Sequence, residues 1–346
     1  MHGATASGID QEAVGRWIAD HVDAAAPPFT YRLIAGGRSN LTYDVRDATD
    51  RRLVLRRPPL GEVLQSAHDM GREHRILAAL VGTAVPVPRP LGFCGDPRVT
   101  GAPFYVMEHV DGLVLRGAGD VPPEFGEAAR RRTGEAIVDV LAELASVDPD
   151  AVGLGDLGRR EGYVERQLRR WNRQFEQSRT RDIASVDEVH RRLAGHVPPQ
   201  QRTAIVHGDY RIENTIVSPD GDVRAVLDWE LCTLGDPLAD LGWLIAYWVQ
   251  PDEDAPHMSR RMPTVLPGFP DRAAVVSRYV ERTGADVSSL DFYVALALWK
   301  LACIAEGVYA RYRAGVMGDD GSEAEGFGDV VLALGEQALA LTDDLR

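Results

Sequence analysis

Residues 207–237, HGDYRIENTIVSPDGDVRAVLDWELCTLGDP, together with the two residues before them, set three short apolar runs among seven acidic side chains. The runs, IV before His207, TIV at 215–217 and AVL at 225–227, are too short for helices and read as strands. Asp209, Asn214 and Asp228 then fall at the ends of three successive strands. A hydrophobic core has no use for that arrangement. A bound divalent cation does, because hard cations are held by oxygen ligands.

The rest of the chain supplies a frame for this stretch. Asp10 is placed to cap a first helix running to about His21. TYRLIAGG, SNLTYDVRDA and RRLVLRRPP read as three strands, separated by Gly36-Gly37 and by the turn at 47–50. SAHDMGREHRILAALVG at 66–82 has helical spacing, with Ser66 as its cap, and VPVPRPLGFCGD and GAPFYVMEHVDG follow as two more strands. Residues 30–110 therefore predict a mostly antiparallel sheet with one helix. Beyond Gly112 the pattern turns helical, over 125–147, 161–178 and about 185–195. After the acidic strands it is helical again, over 237–249, 271–283, 288–313 and 326–343, with a proline-rich excursion at 251–270.

A chain of 346 residues is long for one compact core, so two domains are expected. The reading is α+β: a small β-rich N-lobe over 1–110 joined to a larger helical C-lobe over 111–346, with the acidic hairpins of 205–230 at the junction. A net charge of −14 argues against a nucleic-acid partner, which needs a basic footprint. No leader-like apolar core is expected at the start, and no run is expected to approach a membrane span. Cys94, Cys232 and Cys303 are scattered singly, which fits buried thiols in a reducing cytoplasm. Oligomeric state is not readable.

HGD at 207–209, Asn214, LDWE at 227–230 and GDPLADLGW at 235–243 resemble, in order and spacing, the catalytic and metal-binding segments of the aminoglycoside phosphotransferase family, which has a protein-kinase-like fold. VLRRPP, PVPRPLGFCGDP, GAPFYVMEHVDG and YVERQLRRWNRQFE are similar to one branch, the kinase-like domain fused to acyl-CoA dehydrogenases. The resemblance covers roughly residues 25–315. These segments account for nearly the whole chain, so no flavin domain is expected.

The resemblance implies ATP and Mg²⁺, with phosphoryl transfer to a small-molecule acceptor. Phosphoryl transfer needs positioning and charge neutralisation more than covalent chemistry. Asp209 takes the position of the base for the acceptor hydroxyl, with His207 bracing its loop. Asn214 and Asp228 would hold Mg²⁺, and Glu230 is open as an assistant. Asp236 and Asp240 read as structural supports. Gly36, Gly37, Arg38, Ser39 and Asn40 would form a hairpin whose backbone N–H groups approach phosphate. Backbone near Glu108 to Val110 would meet the adenine edge. The family's strand lysine is missing: the chain's single lysine, Lys300, lies far downstream in a helical segment. Arg56 stands at that position and would pair with Glu73. Either this branch uses arginine, the favoured reading, or nucleotide binding is compromised.

For the acceptor, residues 159–181 hold eight arginines against three glutamates, a local +5 that leaves −19 for the remainder. Arg166, Arg169, Arg170 and Arg173 beside Trp171 would favour an anionic acceptor, and the branch implies a hydroxyacyl-CoA. A solvated helix face, with Glu165 and Glu176 making internal pairs, explains the same residues. The alternatives are an aminoglycoside or other antibiotic as acceptor, a catalytically inactive nucleotide-binding protein, and a protein kinase.

Overall fold

The structure is a computed structural model that describes residues 8–34, 40–60, 69–251, 253, 262–315, 322–343 and 345. The chain forms two compact units: residues 1–112 with 224–230, and residues 113–223 with 231–346.

The first unit opens with α1 (Gln11–His21), started by the Asp10 carboxylate accepting the Ala13 N–H at 3.0 Å. Five strands follow: β1 (Thr30–Leu33), β2 (Leu41–Arg46), β3 (Arg52–Arg57), β4 (Pro90–Cys94) and β5 (Phe104–Glu108). They form one antiparallel sheet in the order β1-β2-β3-β5-β4. Strand side chains alternate between faces, so Tyr43, Val45, Leu53, Leu55, Phe104 and Val106 share one face and bury against Val14 and Ile18 of α1. Arg56 and Tyr105, paired across β3 and β5, point to the other face. There α2 (Met70–Leu80) presents Glu73. That helix is capped by Asp69 and not by the expected Ser66, because the Asp69 carboxylate accepts the Arg72 N–H at 3.0 Å. Ser66 itself lies outside the described residues. The segment Arg224–Glu230 belongs to this unit, where the Val226 N–H donates to the Pro86 carbonyl at 2.8 Å.

The second unit is mostly helical: α3 (Glu127–Ser146), α4 (Tyr163–Ser178), α5 (Ala184–Gly195), α6 (Leu238–Tyr247), α7 (Arg272–Thr283), α8 (Leu290–Arg313) and α9 (Ser322–Leu341). Its short strands are β6 (Ala204–Val206), β7 (Thr215–Val217) and β9 (Thr233–Gly235), with β8 (Val223–Val226) leading out into the other unit. β6 pairs antiparallel with β9, a strand too short to show a period in the sequence. Gly242 lets α6 and α8 approach closely, since a Cβ there would lie 2.6 Å from the Tyr293 carbonyl carbon. One expectation is corrected: α8 is long and apolar enough to cross a membrane, with a mean hydropathy of 1.4 over its most apolar window. That window is 78% buried inside the protein, which accounts for its apolarity as core packing.

Candidate active site

The second unit carries the loop that follows β6. Asp240 of α6 accepts the His207 N–H at 2.6 Å on one carboxylate oxygen and the Gly208 N–H at 2.8 Å on the other. Burial pushes the Asp240 pKa up, against the nearby His207 ring and these two N–H groups. Gly208 has φ +85°, where a Cβ would press within 2.9 Å of the Leu231 carbonyl oxygen, so the tight turn requires glycine. The Gly208 carbonyl accepts from Lys300 Nζ at 2.9 Å. His207 Nδ1 accepts the Asp209 N–H at 3.2 Å, a contact that braces the loop.

These contacts aim Asp209. Its Oδ1 accepts from Trp243 Nε1 and its Oδ2 from Asn214 Nδ2, each at 2.8 Å, and Arg211 Nε lies 3.3 Å from Oδ1. The side chain stays 18% exposed, so it remains open to solvent. Asn214 also donates to the Asp209 carbonyl at 2.9 Å. With both amide hydrogens spent on Asp209, the Asn214 amide oxygen is left as a hard acceptor. Asp236 accepts the Leu238 N–H and the Tyr293 hydroxyl, at 3.0 and 2.9 Å, tying the start of α6 to α8.

The first unit carries a separate polar network. Arg56 Nε lies 3.0 Å from Glu73 Oε2, and Arg56 Nη2 donates to Asp228 Oδ1. Glu73 also accepts from Tyr105 Oη at 2.9 Å and Asn40 Nδ2 at 3.0 Å, and Asn40 Nδ2 reaches Glu230 at 3.1 Å. Burial works against the Arg56 charge, but Glu73, Tyr105 and Asp228 outweigh it and push the pKa up. Asp228 has φ +66°, a left-handed conformation costing an L-residue about 1–2 kcal/mol. It is retained by a carboxylate that stays 32% exposed. No cluster of three or more candidate metal ligands occurs among the described residues; the partly exposed Asp228 carboxylate is the hard oxygen group this network presents. In this unit Asp228 is the residue that would hold a divalent cation, and in the second unit the Asn214 amide oxygen offers a hard ligand of its own.

Gly36, Gly37, Arg38 and Ser39 lie outside the described residues. Asn40 spends its amide hydrogens on carboxylates, so it does not offer them to phosphate. The Glu108 N–H is taken by the Arg89 carbonyl at 2.9 Å, whereas the Val110 backbone is unengaged among the described residues. On α4, Arg166 donates to the Arg159 carbonyl at 2.7 Å and to that of Glu161. Arg169, Arg170 and Arg173 are exposed and have no carboxylate partner among the described residues. Glu176 pairs instead with Arg179 at 3.0 Å. The residue that sequence reasoning missed is Lys300. Set aside there as too distant for a strand lysine, it lies over Trp243, the residue that holds Asp209. Its being the chain's only lysine was the available signal.

Residues 30–261 match the model of the phosphotransferase enzyme family, APH. The chain belongs to that family. It is 36% identical over 327 residues to acyl-CoA dehydrogenase family member 11 of Gallus gallus, covering 92% of this chain and 41% of that one. It spans between 26% and 41% of the length of the curated relatives it matches. A candidate aminoglycoside phosphotransferase from Ralstonia eutropha JMP134 has the same fold, with a TM-score of 0.82 at 31% identity over 98% of this chain and 99% of that one. Amicoumacin kinase, in complex with AMP-PNP and Ca²⁺, shares the fold at 15% identity, with a TM-score of 0.60 over 97% of this chain and 96% of that one.

Proposed function

We propose that this protein is an ATP- and Mg²⁺-dependent kinase that phosphorylates a hydroxyl of a small molecule, with a hydroxyacyl-CoA as the acceptor. The observation that carries the reading is the fixing of Asp209 by Trp243 and Asn214 on a loop that Asp240 and Lys300 pin in place. In this reading Asp209 takes the acceptor hydroxyl proton as that oxygen bonds to the γ-phosphorus and the bond to the ADP oxygen breaks. Mg²⁺, when bound, would neutralise charge on the phosphates, and Asn214 and Asp228 would hold it. Arg56 takes the part of the strand lysine. The backbone near Val110 would receive the adenine edge.

The choice of acceptor is supported by Arg169, Arg170 and Arg173, a row of exposed positive charge on α4 with no carboxylate partner among the described residues, which suits the phosphates of coenzyme A. Local charge outweighs the net −14 because charges beyond about 8–10 Å are screened at physiological salt. Cys94, Cys232 and Cys303 are buried thiols, which supports a cytoplasmic setting. A second reading, an inactive nucleotide-binding protein, is favoured by Arg56 Nη2 already lying on Asp228.

The test is Mg²⁺-dependent ATP turnover against hydroxyacyl-CoAs and against aminoglycosides, with Asp209→Asn as control. Phosphorylated acyl-CoA that disappears in the variant is the expected result. Turnover on aminoglycosides alone would overturn the acceptor assignment. Nucleotide binding without turnover on either set would favour the second reading.

A further inference from the structure

A small cleft, with about 20 Å³ open to the centre of a water molecule, lies beside the loop of Asp209, lined by Tyr163 and Trp171 of α4, Asp240 and Trp243 of α6, Lys300 of α8 and Gly208. Indole faces near carboxylates make a seat for an organic ammonium ion, since the ring faces and the anions attract it in the same sense. Here the seat is filled from within. Lys300 Nζ lies 3.9 Å from the Trp243 ring centroid and 5.2 Å from that of Trp171. Asp209 and Asp240 attract its charge, while Arg170 and Arg211 oppose it. One of its three N–H groups donates to the Gly208 carbonyl.

The close approach of the helices explains how the side chain arrives there. Gly242 brings α6 against Tyr293, and Lys300 follows two turns later on α8, opposite Trp243. We propose that Lys300 is a tethered cation occupying the ammonium seat of the acceptor pocket. It excludes cationic acceptors and turns its other N–H donors toward an oxygen of a neutral or anionic acceptor, such as a carbonyl or carboxylate near the reacting hydroxyl. Occupation of the seat stands on geometry alone; selection among acceptors also rests on Asp209 being the base.

Because Lys300 is the only lysine, lysine labelled with carbon-13 at Cε gives one side-chain signal from the intact wild-type protein. Its Cε protons should be shifted upfield by the indole ring currents, and a signal at the free-lysine position overturns the seat. In Lys300→Ala, ethylammonium chloride should bind saturably, read by tryptophan fluorescence and by a rise in melting temperature, with no such response from wild type. Equal responses, or none from a folded variant, overturn the proposal. If that variant does not fold, the wild-type signal decides.

Lys300→Met keeps the stem without the charge. Its kcat/KM for a hydroxyacyl-CoA should fall about tenfold or more, and an unchanged value removes the selective role. Failure of wild type to turn over any acceptor would instead sink the kinase reading, leaving the two occupancy measurements to stand or fall by themselves.

Discussion

Arg56 and Lys300 are both cations withdrawn from water, one in each unit, and they are held by different chemistry. Arg56 is gripped by carboxylates on two sides, Glu73 and Asp228, which a planar fork of N–H donors can bridge at once. Lys300 is held by two indole faces and one carbonyl, and burial pulls its pKa down to about 8 although Asp209 and Asp240 favour its charge. The first charge is a structural constant; the second is conditional near neutral pH. Substitutions in the Arg56 network should therefore register as lost stability as well as lost turnover, and those around Lys300 and Asp209 as lost chemistry without lost stability.

The sharpest test of that division is Asp209→Asn. It keeps the shape that accepts from Trp243 but cannot take a proton, so turnover should drop by about 10²–10⁴-fold with little change in melting temperature. Retained turnover would break the comparison, because the second unit's carboxylate would then be structural too. Arg56→Met comes next. It strands Glu73, buried and without its counter-charge, and the expected loss is about 3–5 kcal/mol in a urea melt. Arg56→Lys should fall between, because an ammonium keeps the charge but does not span both carboxylates. If Arg56→Met is as stable as wild type, the network is no anchor.

Lys300→Met probes the conditional charge. Lysine's ordinary pKa is 10.5, and the folded state lowers it to about 8. Between those values the unfolded chain holds a proton that the folded chain has released, so stability rises with pH across that window. Below about pH 8 the buried charge costs stability in full. The variant should therefore melt above wild type at pH 7, with the gap narrowing from pH 8 and closed by about 10.5. A gap that stays constant with pH would mean that Lys300 titrates alike in both states.

These contrasts were unevenly legible in the sequence. Period-two runs such as Leu53 and Leu55 opposite Tyr43 and Val45 announced the sheet, since alternation reflects one buried face. HGD, Asn214 and LDWE were legible as a candidate site because carboxylates and an amide at strand ends have no packing use. Helix starts were less so: Ser66 and Asp69 both carry capping oxygens, and periodicity does not choose between them. β9 has only three residues and gains its identity from pairing with β6, a long-range contact. Asn40 appeared destined for phosphate because nothing local reveals Glu73 and Glu230 waiting for its amide. Lys300 was the largest gap, for its role depends on how closely α8 approaches α6, set by the absence of a side chain at Gly242.

The smallest expected effect concerns the row on α4, where a third kind of cation, exposed at the surface, completes the comparison. Arg169 and Arg173 are exposed and without carboxylate partners among the described residues, so replacing both with glutamate should leave the fold intact. Each exposed charge pair is worth at most about 1 kcal/mol, so the KM for a hydroxyacyl-CoA should rise a few-fold to roughly tenfold with kcat unchanged. The rise should shrink as potassium chloride is added, since the Debye length falls from about 10 Å at 0.1 M to about 3 Å at 1 M. An aminoglycoside, being a polycation, should respond with the opposite sign. A KM that moves for neither acceptor would make the row an ordinary solvated helix face, and the burden of choosing the acceptor would pass entirely to Lys300 and its two tryptophans.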